Sequence, residues 1–181
     1  MKIVKNYVDS NYLSISTSYS SLYKGVQFNS HDWCSIMKEG SLTSEDFSLL
    51  EAALKVMERA YVIWGFRVAA AVLAEDGKIY EGCNIESRIS GLGICAERCA
   101  IDHAVIHGNK RILKVALVIE DDNVLNAMPC GVCRQYIHDF SDGKALIITA
   151  KAKNGEIIRE SIKVKHISEL LPNPFSSRIK P

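Results

Sequence analysis

Cys95-Ala96-Glu97-Arg98 and Pro129-Cys130-Gly131-Val132-Cys133-Arg134-Gln135 are the two stretches around which this chain is organised. A CxxC pair presents two thiols about one helical turn apart, which is how many zinc sites take half their ligands. Cys95 adds a third soft ligand from an earlier segment, and Glu97 follows close behind it. Three protein ligands and one open position make a catalytic zinc site, because the open position admits water. A carboxylate beside the metal that is not a ligand is placed to move that water's proton. Cys95 and Cys130 both fall where helices are expected to start, and a helix N-terminus stabilises a thiolate. Such help is needed, since three thiolates leave zinc(II) with a net negative charge and weaken it as a Lewis acid. Arg98 and Arg134 are candidate hydrogen-bond donors to the sulfur atoms.

The same spacing also allows a closed site. Cys99 follows Cys95 by four residues, so on a helix both thiols share a face. Cys95, Cys99, Cys130 and Cys133 would then enclose a purely structural zinc and leave Glu97 without a role. A redox CxxC is disfavoured by its late position in the chain. His31 and Cys34 lack a second pair to complete a metal site.

Composition narrows the partners. Lys and Arg number 22 against 21 Asp and Glu, leaving a net charge of +1. That balance argues against a general nucleic-acid binder. No apolar run reaches the roughly 18 residues of a membrane helix, and Met1-Lys2-Ile3-Val4-Lys5-Asn6 opens without a signal-peptide core. Six cysteines in 181 residues do not suggest a disulfide framework, so a reducing, cytoplasmic setting is expected.

Residues 1–42 read as an N-terminal extension rich in Ser, Tyr and Asn, and 43–181 as the catalytic domain. Thr43 and Asp46 resemble a capping box. Phe47, Leu50, Ala53, Leu54, Met57 and Tyr61 then recur at helical spacing. Phe66 to Ala74 and Ile79 to Ile85 read as strands around the turn Glu75-Asp76-Gly77-Lys78. A helix is expected from Cys95 to His107, stopped by Gly108-Asn109, and a doubly covered strand from Ile112 to Ile119. Pro129 fits the first turn of a helix running to about Phe140. Strands Ala145 to Ala150 and Glu156 to Arg159 flank Asn154-Gly155, and a short helix covers Ser168 to Leu171. Strands and helices in this order predict an α/β sandwich on one mixed sheet.

With these residues in view, the chain from about 44 to 175 resembles the small, three-cysteine cytidine deaminases. Gly82-Cys83-Asn84-Ile85-Glu86 looks like that family's nucleoside-binding strand. The two cysteine stretches look like its zinc motifs, and Glu169-Leu170-Leu171-Pro172-Asn173-Pro174-Phe175 like its C-terminal segment. The resemblance implies a three-layer α/β/α sandwich around a mixed five-stranded sheet. It implies zinc on Cys95, Cys130 and Cys133, with Glu97 as the proton shuttle. It implies that Asn84 and Glu86 bind the ribose 3′-hydroxyl, that Phe66 lies near the pyrimidine, and that Phe175 closes a neighbouring subunit's site. The implied activity is hydrolytic deamination of cytidine and deoxycytidine in pyrimidine salvage, by a homotetramer acting on a small nucleoside.

The departures concern the rim of that site. Tyr61-Val62-Ile63-Trp64-Gly65-Phe66-Arg67-Val68-Ala69-Ala70-Ala71 keeps the family's Phe, Val and alanines but loses its Ser and Gly. Ser87-Arg88-Ile89-Ser90 replaces an Asn-Ala-x-Tyr run. Other cytosine-containing substrates, such as a modified nucleoside, blasticidin S or a polynucleotide, are the competing readings of the same zinc core. The Asn84/Glu86 pair argues against the antibiotic, and the charge balance against the polynucleotide.

Overall fold

The structure is a computed structural model that describes residues 42–120 and 126–175. The expected extension over 1–42 and the His31/Cys34 spacing therefore lie outside the described residues, save Leu42.

Thr43 starts the first helix as the sequence predicts. Asp46 N–H donates to Thr43 Oγ1 (3.3 Å) and Thr43 N–H donates to Asp46 Oδ2 (2.8 Å), a reciprocal box. Helix α1 (Ser44–Val56) follows and ends in one 3₁₀ turn, Met57–Arg59. Its buried stripe is Leu49, Leu50, Ala53, Val56 and Met57. Tyr61, expected on that stripe, is instead exposed beyond the helix and bridges to Ile85. The 3₁₀ turn takes the chain off the helical period before it reaches Tyr61.

Five strands form one mixed sheet in the order β2-β1-β3-β4-β5. Strands β1 (Arg67–Ala74) and β2 (Ile79–Cys83) make the predicted hairpin, with Gly77 at φ 77° in its turn. β3 (Ile112–Glu120) runs antiparallel to β1 and parallel to β4 (Leu146–Lys153). β5 (Glu156–His166) pairs antiparallel with β4 through Asn154 and Gly155, both at positive φ. β5 runs seven residues beyond the predicted Arg159, because it follows β4 back along its whole length across a register shift at Thr149/Lys151.

Pleat alternation separates the faces. Ala70, Val72, Val115, Leu117 and Ile147 pack under α2 (Ala96–Ile106) and α3 (Gly131–Asp139) with Ala100, Ile101, Ala104 and Ile137. α1 covers the opposite face, against β1 and β3. The result is the expected three-layer α/β/α arrangement. A short α4 (Ile167–Leu170) completes the described chain. Pro129 precedes α3 rather than occupying its first turn, since Cys130 is the N-cap. Among the described residues, no helix is long and apolar enough to cross a membrane.

Two contacts fix where the helices lie. A Cβ on Gly82 would collide with Ala100 N and sit 2.7 Å from Ala96 O, so β2 and α2 approach backbone to backbone. Asp46, buried at the other layer, receives a 2.7 Å hydrogen bond from Lys114 Nζ on β3. Burial raises the Asp46 carboxyl, but the Lys114 ammonium and the Thr43 N–H and hydroxyl outweigh it and hold the pKa below its ordinary value.

Gly82→Ala should cost about 1–3 kcal/mol or more, since rigid backbone faces the new methyl; an unchanged urea midpoint would show that the layers can part freely. Asp46→Ala should cost about 1–3 kcal/mol at neutral pH through lost capping and the loss of one of the two carboxylates on Lys114, Glu45 remaining at 2.7 Å. Because the folded pKa is depressed, that stabilisation is full above the ordinary aspartate range and is lost as pH falls below about 4. Urea titrations at neutral pH and about pH 3 should therefore show the gap between wild type and variant closing in acid.

Candidate active site

The core of the site is built by two helix beginnings. Cys95 is the N-cap of α2, Cys130 the N-cap of α3, and Cys133 lies in the first turn of α3. Their three sulfur atoms lie within 4.8 Å of one another. Tetrahedral zinc at about 2.3 Å from each sulfur needs them roughly 3.8 Å apart, a spacing that this bound admits. Cys99, the fourth cysteine of the closed alternative, does not join the group. The structure thus brings together the open three-thiol set.

Electrostatics also suit a cation here. Cys95 is lowered to about 5, first by the hydrogen bond from the Cys133 thiol and then, against burial, by Arg98 and Cys130. The same bond, together with burial, pushes Cys133 up. Negative charge is crowded among thiols that compete for protons, which is the condition a divalent ion relieves. The Arg98 guanidinium is held in its charged form, against burial, by Cys95 and Cys133, and its Nη2 donates to Gly93 O at 3.3 Å.

Glu97 sits in the first turn of α2 and is 4% exposed. Burial pushes its pKa up to about 7, and the Cys95 charge adds to that rise. Its own backbone N–H, the Cys133 thiol and Arg98 pull the other way. A carboxyl balanced near neutrality can both take and return a proton.

Asn84 and Glu86 are brought beside this centre by the residue between them. Ile85 exchanges two backbone hydrogen bonds with Ile94 (3.1 and 2.9 Å), setting the 84–86 segment next to the approach to Cys95. Both side chains already hold the preceding loop. Asn84 Oδ1 accepts from Val68 N–H and its Nδ2 donates to Phe66 O, each at 3.0 Å. Glu86 Oε2 accepts from Ile63 N–H (2.5 Å) and Trp64 N–H (2.6 Å), and these, with Gly65, hold its pKa below the ordinary value. One acceptor and one donor site of Asn84, and the second oxygen of Glu86, have capacity left for a ligand. Phe66 is exposed at the end of this loop.

Arg134 does not fit its expected place at the sulfurs. Its Nε donates to Pro129 O (2.8 Å) and its Nη1 to Leu170 O (3.0 Å), tying the start of α3 to α4. Two further residues escaped the sequence reading. Tyr136 OH donates to Asp102 Oδ1 at 2.5 Å and joins the two cysteine-bearing helices. Gln135 Oε1 accepts from Phe175 N–H and its Nε2 donates to Phe175 O, both at 2.9 Å. That amide clamp holds the tail while the Phe175 residue stays 78% exposed. Gln135 and Tyr136 stand two and three residues after the CxxC pair, but nothing in the sequence names partners so distant as Phe175 and Asp102.

The family model described as "Cytidine and deoxycytidylate deaminase zinc-binding region" matches residues 43–149. The chain belongs to the cytidine and deoxycytidylate deaminase family. The match in that family spans Phe66, Asn84, Glu86, Glu97 and all three cysteines of the cluster. A cytidine deaminase of Sporosarcina psychrophila is 37% identical over 129 residues, 71% of this chain and 89% of the relative. A blasticidin-S deaminase of Bacillus cereus is 28% identical over 146 residues, 77% of this chain and 99% of the relative. The crystal structure of cytidine deaminase from Burkholderia pseudomallei superposes with a TM-score of 0.64 at 31% identity, covering 74% of this chain and all of that one.

Gln135→Leu removes both bonds to Phe175, each contributing about 0.5–1.5 kcal/mol. Hydrogen exchange at the Phe175 amide should quicken by about tenfold or more, with the three-thiol cluster's metal content unchanged. Unaltered exchange would mean that the prolines alone hold the tail.

Proposed function

We propose that this chain is a zinc-dependent cytidine deaminase that converts cytidine and deoxycytidine to the uridines, releasing ammonia, in pyrimidine salvage. The observation that carries this reading is the meeting of three cysteine thiols from two helix starts, within 4.8 Å, beside a buried glutamate. Cys95, Cys130 and Cys133 would hold the zinc, which when bound supplies the Lewis acidity that makes water a nucleophile near neutral pH. Arg98 offsets the charge of the thiolates.

Glu97 performs the proton transfers. Its carboxylate takes the proton of the attacking water and gives it to ring N3. A second proton passes through Glu97 to the 4-amino nitrogen, which leaves as ammonia. Burial raises Glu97 above the ordinary carboxylate range, which favours its accepting a proton and later returning it. The remaining capacity of Asn84 and Glu86 serves the ribose 3′-hydroxyl, and Phe66 borders the base.

Assembly into a homotetramer fits the exposed apolar residues. Trp64, Ile89, Leu92, Val132 and Phe175 are all exposed, a set that suits subunit contacts better than water. Phe175, held by Gln135 and exposed, would close a neighbouring subunit's site in such an assembly. The five described cysteines are free of disulfides, which suits the cytoplasm.

One observation favours a second substrate. Glu86 and Asn84 already hold loop backbone, which leaves fewer of their polar groups for a sugar than a free Asn–Glu pair would offer. A relative named blasticidin-S deaminase also spans most of the chain.

Absorbance loss with cytidine, deoxycytidine and blasticidin S, each offered separately to zinc-loaded protein, separates the two readings. Turnover of the two nucleosides is expected; turnover of the antibiotic alone would replace the substrate assignment. Glu97→Gln should retain zinc and lose about 10²–10⁴-fold or more in turnover. A variant of near-normal rate would remove Glu97 from the mechanism.

A further inference from the structure

The far end of α2 carries a second group of metal-binding side chains. His103 and His107 stand one helical turn apart, with ring centroids 4.9 Å from each other. They follow Cys95 by eight and twelve residues, about 12 and 18 Å along the helix axis, so they are separate from the thiol cluster. His103 is half-buried and His107 exposed.

Their protonation pattern is set by the backbone. His103 Nδ1 is 3.0 Å from Glu81 O, and His107 Nδ1 is 2.8 Å from His103 O. A carbonyl oxygen only accepts, so each Nδ1 must carry the proton and donate. Neutral rings then keep their lone pairs on Nε2, the atom left to bind a metal. Backbone carbonyls holding the opposite nitrogen are the usual support of a metal-bound histidine. The helix end explains the second bond. His107 N–H reaches back to Ala104 O, and the His107 ring donates to the His103 carbonyl.

Neighbouring groups leave both Nε2 atoms free. Tyr80 packs against the two rings, at 5.3 and 5.4 Å between centroids. Its hydroxyl is occupied elsewhere, donating to Asp76 Oδ2 (2.9 Å) and accepting from Asn109 Nδ2 (3.0 Å). Among the described residues, neither Nε2 has a hydrogen-bond partner.

We propose that His103 and His107 form a second metal site on α2, for a divalent late-transition ion such as Ni²⁺, Cu²⁺ or Zn²⁺. An ion about 2.0–2.1 Å from each Nε2, with a ligand angle of about 90–109°, sets the ring centroids roughly 4.5–5.2 Å apart. The observed 4.9 Å, with the rings inclined at 68°, leaves room for an ion between the two Nε2 atoms once the rings turn them toward each other. Imidazole pairs suit these ions, whereas Mg²⁺ and Ca²⁺ favour oxygen ligands. No third His, Cys, Asp or Glu joins the pair among the described residues. The remaining positions fall to water or to a donor from another molecule, and the ion is exchangeable rather than structural.

The test uses the full-length, tag-free chain with its cysteines already saturated by zinc, dialysed against micromolar Ni²⁺. One nickel per chain should bind with the zinc content unchanged. H107Q and H103Q should each weaken nickel binding by on the order of 10–100-fold or more, at least what loss of a supporting partner costs a metal site. Nickel should raise the melting temperature of the wild type but not of H107Q, because the pair is assembled only in the folded helix. H107Q, at an exposed helix end, decides the matter even where H103Q folds poorly. No nickel uptake by the wild type, uptake equal in H107Q, or uptake matched by zinc release would each overturn the proposal. None of these readouts depends on deaminase turnover, so a failed substrate assignment would leave this result standing.

Discussion

Gly82 sets the distance on which the site depends. With no side chain there, β2 runs against the backbone of α2 at Ala96 and Ala100, immediately after Cys95. Cys83 ends β2 directly after Gly82, and Asn84, Ile85 and Glu86 follow it, so one close approach positions both the helix start and the segment that pairs with Ile94. A side chain at this position would push β2 and the start of α2 apart. The alanines Ala96, Ala100 and Ala104 on the inward face of α2 extend the same close packing along the helix.

The second helix start is held by polar contacts rather than by a close backbone approach. Arg134 grips the carbonyls of Pro129 and Leu170, and Tyr136 reaches Asp102 on α2. These bonds fix α3 against α2 from outside the cluster, so the thiols can meet without a ligand having to draw the helices together. Preorganisation of this kind lowers the cost of assembling a metal site, because little chain entropy is lost on binding. It also explains why Arg134 is better employed away from the sulfurs: Arg98 already supplies the cation beside Cys95 and Cys133.

How much could be read in advance differs by layer. Capping at Thr43, the Asp76-Gly77 and Asn154-Gly155 turns and the apolar run of β3 are local signals, and each marked its element. The grouping of Cys95, Cys130 and Cys133 was legible because thiol chemistry restricts what a CxxC with a third cysteine can do. The exclusion of Cys99 was not legible, since helical spacing placed it on the same face as Cys95; only the position of α3 decides which sulfurs converge. Tyr61 left its expected helix because a 3₁₀ turn broke the period, and β5 outran its expected end because its partner strand, not its own composition, sets its length. Contacts such as Gln135 with Phe175 join residues forty positions apart, and no pattern within one segment announces them.

The loop over 61–66 shows what the departures from the family's pattern do. Where the sequence resemblance suggests a carboxylate reserved for a sugar, Glu86 also gathers the N–H groups of Ile63 and Trp64. A side chain at position 65 would meet Glu86 Oε1 at 2.7 Å, so Gly65 is what lets the loop close over that carboxylate. Glu86 therefore orders the loop that ends in Phe66 through Oε2, and any ligand hydroxyl would have to be met by its other oxygen. A ligand that takes one oxygen strengthens the charge-assisted network only if the loop keeps the other. Any ligand bound at Glu86 would thereby be coupled to the conformation of a loop bearing exposed Trp64 and Phe66, a linkage that a free carboxylate would not impose.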